Sequence, residues 1–398
     1  MHSLLGYSNS WIPILHRFAD TDPTDFILRW RDRLNFSTSE LAEQLTCYPK
    51  AKKKFPDIHR DGMIYTSKAL EQATGEAMLR FKFNNFSGEL AVDGTGGLGM
   101  DTYALAVRFK HVIYIEPDQT LLEIARHNHQ LLGVKNITYL NTTLEEWVSH
   151  RPQHVDLIYV DPSRRDENSR YFKLEESSPD IRKILDDLRQ RSGNTIIKTS
   201  PMLDVSYIYN SLEGVSKILC CSVNGEVKEV LTEVSQRSDH AETEGILLNS
   251  EGKVRNRITR RVETSSPATS TMHFYPDYIY KPDPAVIKAG AIPTLAEQYD
   301  LMVVGSPGFY LCGNEKLRDF PGQQFRIVEW GAYQPKKIIK SLKSNNHTRV
   351  RVHRKNFPLS TDQLYQKLKV TMGNQADLFF TRDATGKLLY FIAMREEE

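Results

Sequence analysis

The chain has 398 residues, more than one hydrophobic core usually holds, so two or three domains are expected. Its 52 Lys and Arg against 50 Asp and Glu leave a formal charge of +2, which excludes neither nucleic acid nor small charged ligands. No apolar run approaches membrane-spanning length, and the start, Met1-His2-Ser3-Leu4-Leu5, lacks the basic flank of a secretory leader. Cys47, Cys220, Cys221 and Cys312 show no C-x-x-C spacing and no partner histidine cluster, and the adjacent Cys220 and Cys221, in an apolar strand-like run, are expected to be buried thiols. A cytoplasmic protein fits these exclusions.

Residues 1–85 read as a helical region. Phe26, Ile27, Leu28, Trp30 and Leu34 recur at helical spacing, as do Leu41 and Leu45, and a further run covers Ala69 to Phe83. Ser37-Thr38-Ser39-Glu40 offers a helix N-cap with an acid on the first turn.

Residues 86–272 read as an alternating α/β domain. Leu90-Ala91-Val92 is a short strand that ends in Asp93 and opens a glycine-dense turn, Gly94-Thr95-Gly96-Gly97-Leu98-Gly99, before a helical run from Tyr103 to Val107. Such a turn presents bare backbone N–H groups and a helix N-terminus to a nucleotide-like ligand. The G-x-G-x-x-G pattern is shared by several cofactor classes; the sharper signal is Asp93, a carboxylate that suits a cation and not a pyrophosphate. The second strand, Val112-Ile113-Tyr114-Ile115, ends in Glu116, with Pro117 and Asp118 behind it. Glu116 lies about 20 residues beyond the turn, where an acid can take both hydroxyls of a ribose. Leu121, Leu122, Ile124 and Ala125 make a helix that Gly133 ends. His127 and His129 are expected on its solvated side, on different faces, which argues against a metal pair. A third strand, Ile137–Leu140, runs into Asn141-Thr142-Thr143-Leu144, where Thr142 or Leu144 would meet an adenine edge.

The fourth strand, Val155 to Val160, ends in Asp161-Pro162-Ser163-Arg164-Arg165. Ligands of open parallel sheets sit beyond the carboxyl ends of the strands, so Asp161 should face the crevice that Asp93 and Glu116 face. A fifth strand, Thr195-Ile196-Ile197, brings Lys198 to the same rim.

Residues 236 to 272 are polar around a hairpin-like Ile246–Gly252, with a Ser/Thr-rich run from Thr264 to Thr271. Residues 273–398 read as a small α+β module that ends in a helix, Leu364–Leu368, and a hairpin of Asp377–Phe380 and Leu388–Ala393. Lys336, Lys337, Lys340, Lys343, Arg349, Arg351, Arg354 and Lys355 form a basic stretch without an acid, and Lys50, Lys52, Lys53 and Lys54 a second one. Stretches of this kind are what binding to a phosphate backbone requires, although they also occur on solvated faces and edge strands.

The pattern as a whole resembles the class I S-adenosylmethionine-dependent methyltransferases. Asp93 to Gly99 match the glycine-rich motif, Glu116 the ribose-binding acid, and Asp161-Pro162 the fourth motif. More narrowly the chain is similar to bacterial methyltransferase-like proteins with a C-terminal THUMP-like domain. That resemblance is carried by Leu70-Glu71-Gln72-Ala73-Thr74-Gly75-Glu76, Asp161-Pro162-Ser163-Arg164-Arg165, Tyr280-Lys281-Pro282-Asp283-Pro284-Ala285 and Phe357-Pro358-Leu359-Ser360. It implies a Rossmann-like α/β fold with an N-terminal helical region and a THUMP-like module. It also implies S-adenosylmethionine as cofactor, no metal and an RNA substrate. Asp93, Gly94, Thr95, Gly96, Gly99, Glu116, Asp118, Thr142 and Leu144 would hold the cofactor. Asp161 and Pro162 would be catalytic, and Arg164, Arg165, Lys198, Lys336, Lys337 and Lys340 would meet the substrate. One departure stands out: enzymes that methylate exocyclic amines usually follow Asp-Pro with a second Pro and an aromatic, where this chain has Ser163 and Arg165, so stacking would fall to Tyr171 or Phe172. A catalytically idle RNA-binding protein and an NAD-dependent dehydrogenase are the alternatives.

Overall fold

The computed structural model describes residues 3–7, 10–31, 33–150, 154–164, 173–235, 241–260, 276–305 and 308–395. The chain divides into two compact units. The first comprises Met1–Ile218 with Lys228–Ala241 and Leu248–Arg255, and the second Leu219–Val227, Glu242–Leu247 and Asn256–Glu398.

In the first unit, helices α1 (Thr38–Lys54), α2 (Ser67–Gln72) and α3 (Glu76–Lys82) precede any core strand. Ser37 caps α1, its hydroxyl accepting from the Glu40 N–H at 3.3 Å. Strand and helix then alternate: β1 (Gly88–Asp93), α4 (Met100–Ala106), β2 (Phe109–Ile115), α5 (Gln119–Leu131), β3 (Ile137–Leu140), α6 (Leu144–His150), β4 (Leu157–Val160), α7 (Ile181–Arg191) and β5 (Asn194–Thr199). The strands run parallel in the order β5-β4-β1-β2-β3. The residues of β4 and the second half of β1 are buried throughout, the pattern of a parallel sheet covered on both faces. β6 (Glu226–Ser235) adds antiparallel to β5. The order reverses direction at β1, and that switch point places the ends of β1, β2 and β4 side by side.

The N-terminal helices are part of this core. Leu41, Leu45, Phe55, Ile64, Tyr65 and Leu70 pack in one cluster with Leu98, Met100 and Ile124 from the flanks of α4 and α5. Each such fully buried side chain contributes roughly 1.5–3 kcal/mol. The Asn128 side chain pairs with both the N–H and the carbonyl of Ile64, each at 2.8 Å. His127 bonds the Gly62 carbonyl at 2.8 Å. His129 is not solvated as its sequence position suggested: it is 1% exposed, between the Gly99 carbonyl at 2.7 Å and the Tyr139 hydroxyl at 2.9 Å. A face that looks polar in sequence is buried because the backbone ends of other elements need partners there.

The second unit holds an eight-stranded sheet. Its strands are β7 (Tyr278–Pro282), β8 (Met302–Val304), β9 (Tyr310–Gly313), β10 (Gly322–Ala332), β11 (Arg349–Arg354), β12 (Thr371–Met372), β13 (Ala376–Arg382) and β14 (Leu388–Arg395), in the order β8-β9-β7-β10-β14-β13-β11-β12. Helices α8 (Pro335–Ser344) and α9 (Thr361–Leu368) cover one face through Ile338, Leu342, Leu364 and Leu368. Ile279, Phe325, Phe379 and Phe391 form a core on the other. The sequence-expected terminal helix and hairpin are α9 with β13 and β14, the last two antiparallel. Glu242–Leu248 and Val254–Thr259 likewise form the expected neighbouring strands.

Among the described residues no helix is long and apolar enough to cross a membrane, and no group of His, Cys, Asp and Glu could hold a metal ion. All four cysteines are free and buried.

Candidate active site

Asp93 is the last residue of β1, Glu116 follows β2, Asp161 follows β4 and Lys198 lies near the end of β5. Parallel pairing aligns them: Asp93 is in register with Tyr114 and with Tyr159, so all four residues reach the same edge of the sheet.

The glycine turn differs from expectation in an instructive way. Its N–H groups are not bare. Gly94 donates to the Tyr159 carbonyl at 2.9 Å, Thr95 to Asp93 at 3.2 Å, Gly96 to the Ile115 carbonyl at 2.8 Å, Gly97 to Glu116 Oε2 at 2.8 Å and Gly99 to the Gly96 carbonyl at 2.8 Å. The glycines answer to packing inside the protein. A Cβ on Gly96 would enter the Tyr114 ring, and Gly99, at φ +81°, opens α4 with its carbonyl turned to His129. With five of its six N–H groups engaged inside the protein, the turn is poorly suited to cradle a pyrophosphate.

The carboxylates are what remains to meet a ligand. Asp93 is fully buried, accepting from the Thr102 hydroxyl at 2.6 Å as well as from Thr95. Burial, then the neighbouring Asp101, pushes its carboxyl up to about 7 against those hydrogen bonds. Glu116 accepts from Gly97 and, through its other oxygen, from the Asp118 N–H at 2.9 Å; desolvation lifts it above the usual carboxylate range. Each oxygen keeps a second acceptor position for a hydroxyl. Asp118 spends its own carboxylate on capping α5, accepting from Thr120 at 2.8 Å and Leu121 at 3.2 Å. Beside Glu116, a cleft of about 360 Å³ is lined by Leu140, Asn141, Thr142, Glu146, Trp147 and His150. Thr142 thus borders a cleft, whereas the Leu144 side chain lies against Gly94.

Asp161 closes the arc. Its N–H donates to the Thr95 hydroxyl at 2.7 Å, and its Oδ2 sits 2.6 Å from the Lys198 ammonium. About a third of the side chain is exposed (32%). Desolvation raises its carboxyl, and the Lys198 charge only partly offsets this. Pro162 is buried and turns the chain out of the sheet. Ser163 and Arg164 pair with Ser178 and Ser177 in a short antiparallel ladder. The Arg164 side chain, Arg165, Tyr171 and Phe172 lie outside the described residues.

Behind Asp161 is a group that sequence reasoning missed. Lys82, the last residue of α3, has a side chain with no exposure at all. Its ammonium meets Asp101 at 2.6 Å, the Tyr159 hydroxyl at 2.8 Å, Glu229 at 3.0 Å and the Thr74 hydroxyl at 3.0 Å. Glu229, on β6, also stands 3.8 Å from Lys198. Desolvation opposes ionisation of Asp101, yet Lys82 and then Lys198 hold its carboxyl below the usual range. Desolvation likewise opposes the charge on Lys198, but Asp161, Glu229 and Asp101 hold that ammonium far above its ordinary value. Asp101, Glu229 and Asp161 thus face Lys82 and Lys198, and Lys54 lies within electrostatic reach of Lys198 and Glu229.

The lysines of the C-terminal basic stretch do not share one face. Lys336, Lys337 and Lys340 are exposed on α8, with Lys337 3.3 Å from Glu329, while Arg351 belongs to the strand β11.

Comparison with known proteins agrees with these features. A THUMP domain-like family matches residues 322–395. An uncharacterized S-adenosylmethionine-dependent methyltransferase of Mycobacterium tuberculosis is 22% identical over 85% of this chain and 90% of its own length. Ribosomal RNA small subunit methyltransferase J of Francisella tularensis subsp. novicida is 29% identical over 28% of this chain and 47% of its own. The crystal structure of a candidate methyltransferase from Porphyromonas gingivalis superposes with a TM-score of 0.85 at 26% identity, covering 97% of both chains.

Proposed function

We propose that this chain is a class I S-adenosylmethionine-dependent methyltransferase with a C-terminal THUMP-like domain and that its methyl acceptor is RNA in the cytoplasm. The observation that carries the cofactor assignment into residues is the set of acids at the ends of three adjacent strands, around a turn in which five of six N–H groups are engaged internally. S-adenosylmethionine supplies an electrophilic methyl on a sulfonium centre, and its ammonium and sulfonium suit the carboxylates at the strand ends. In this reading Asp93 receives the ammonium, directly or through water, and Glu116 takes the ribose hydroxyls. Thr142 and Leu144 flank the adenine. Gly94, Thr95, Gly96 and Gly99 form the turn beneath the cofactor, Thr95 accepting from the Asp161 N–H through its hydroxyl, and Asp118 fixes the conformation of Glu116.

Asp161 then orients the acceptor. One oxygen is pinned by Lys198, and the partly exposed carboxylate is left to accept a hydrogen bond from the incoming group. Pro162 directs the chain away so that the acceptor can enter. Methyl transfer is an in-line displacement, so positioning and exclusion of water supply most of the acceleration. Arg164, Arg165 and the exposed Lys336, Lys337 and Lys340 offer cationic contacts to phosphates. The THUMP domain-like match and the partial similarity to a ribosomal RNA methyltransferase support RNA as the substrate class.

The test is transfer of a tritiated methyl group to total RNA from a strain lacking this protein, with RNA from the parent strain as control. Label is expected in the former and much less in the latter. Label that enters neither RNA, with cofactor binding intact, would overturn the RNA reading, and RNA binding without any label would mark the protein as idle.

A further inference from the structure

The second unit carries a set of cations that none of the sequence motifs groups together. β10 and β11 are separated by two strands, yet the Phe325 ring on β10 lies 5.8 Å from the His353 ring on β11. The sheet therefore curls strongly, and the face away from α8 and α9 is concave. This face is filled by a packed aromatic core, in which His353 stacks on Phe379 at 4.5 Å and Phe379 meets Phe325 at 4.9 Å, so that its polar end is what reaches solvent.

At the polar end of this concavity lies Asp377, almost fully buried. It is 2.6 Å from His353 Nε2 and 4.0 Å from Arg351, its partner in the β11–β13 register. Arg395 ends β14 opposite Phe325, and Lys281 stands two residues beyond Ile279 on β7, which also pairs with Phe325. Lys355 follows β11 with its ammonium 5.4 Å from the Phe309 ring centroid. Desolvation lowers Lys281 below its ordinary range; Asp377 opposes this, and Lys355, Arg351 and Arg395 add to it. His353 is lowered too, by burial and then by its cationic neighbours against Asp377, so it adds no charge at neutral pH. Arg351, Lys355 and Arg395 thus bear on Lys281, and Asp377, the acid that opposes them, already accepts from His353. Mutual repulsion is a standing cost to the fold, and an anion would relieve it.

We propose that Lys281, Arg351, Lys355 and Arg395 form a phosphate-binding site on the concave face of the C-terminal sheet, which anchors the RNA backbone. The site rests on the RNA reading only for the identity of its ligand. The lysines of α8 lie on the helical side of the sheet; they add diffuse attraction, whereas the concave cluster grips the phosphates at fixed positions.

The experiment uses the full chain and two probes, a fluorescently labelled single-stranded RNA and inorganic pyrophosphate. Lys281→Gln/Arg351→Gln/Arg395→Gln is compared with Lys336→Gln/Lys340→Gln/Lys343→Gln. The concave variant is expected to bind RNA at least tenfold more weakly, with a log–log salt slope shallower by about 0.7 for each phosphate no longer neutralised. It should also lose the thermal stabilisation that pyrophosphate gives the wild type, while the α8 variant keeps it. S-adenosylmethionine affinity measured in each variant reports that the first unit is intact, and Arg351→Lys alone, which keeps the charge, should bind RNA within about threefold of wild type. RNA affinity and pyrophosphate response both unchanged in the concave variant would overturn the site and leave the RNA reading standing. A pyrophosphate response in the wild type that is lost in the variant, with no RNA binding by either, would keep the site and overturn RNA as its ligand. No response of the wild type to either probe would overturn both.

Discussion

The two units handle charge in opposite ways. In the first, buried Lys82 and Glu229 and half-buried Asp101 and Lys198 are paired at 2.6–3.8 Å, and Asp93 is fully buried. In the second, Lys336, Lys340 and Lys343 project from α8 into water, and the cations near Lys281 outnumber their one acid. Buried pairs are rigid, insensitive to salt and intolerant of losing a partner. Exposed charge is screened over about 10 Å at 0.1 M salt and tolerates substitution one residue at a time. Chemistry that needs sub-ångström placement belongs with the first arrangement, and capture of a long polyanion belongs with the second.

That contrast can be broken at its strongest point first. Asp161→Ala should lower methyl transfer on the order of a hundredfold or more while S-adenosylmethionine affinity, read by calorimetry, stays near wild type, because orientation of the acceptor belongs to the transition state. Loss of cofactor binding instead would move Asp161 into the cofactor pocket. Lys82→Met should be the most damaging change to the fold of the first unit, costing about 3–5 kcal/mol in denaturant unfolding, since Asp101 and Glu229 would be left buried without their partner. A cost below about 1 kcal/mol would mean that water reaches the cluster.

Asp93 gives a pH signature. Its folded value, about 7, lies above the unfolded value, so between about pH 4 and 7 the folded chain holds a proton that the unfolded chain has released. Stability should therefore fall as pH rises through that window, by up to about 1.4 kcal/mol per unit, and Asp93→Asn should flatten the fall. A rise over the same range, or an identical slope in the variant, would contradict the burial of a protonated acid. Glu116→Ala should weaken S-adenosylmethionine binding by roughly 1.5–3 kcal/mol for each charge-assisted hydrogen bond to the ribose that it removes, with little change in RNA affinity. The smallest effect belongs to the second unit: Lys336→Gln/Lys337→Gln/Lys340→Gln should weaken RNA binding modestly and reduce its salt slope by about 0.7 per phosphate, independent of RNA sequence. Cofactor affinity should not move.

Legibility follows the same division. The strand ends were readable because a parallel sheet turns sequence position into spatial position: an acid that closes an apolar run must reach the carboxyl edge, so Asp93, Glu116 and Asp161 converge as their spacing implied. Lys82 was not readable. It lies in a helix before the first strand, and only packing of α3 on the sheet carries it to Glu229, 147 positions later in the numbering. His129 was misread for a related reason, since helical spacing reveals an apolar face but not which polar side chains will be enlisted by a buried carbonyl such as that of Gly99. The glycine turn was placed correctly and its donors were not, because the partners that consume them, Tyr159 and Ile115, come from neighbouring strands. The basic stretch read as one feature, and the turn between α8 and β11 divides it.

The most direct test is calorimetric titration of the wild-type chain with S-adenosylmethionine and, separately, with NAD at pH 8. A site made of strand-end carboxylates, with five of the six N–H groups of its turn engaged internally, should bind S-adenosylmethionine at one equivalent and show no binding of NAD. Saturable NAD binding with S-adenosylmethionine silent would contradict the site as built.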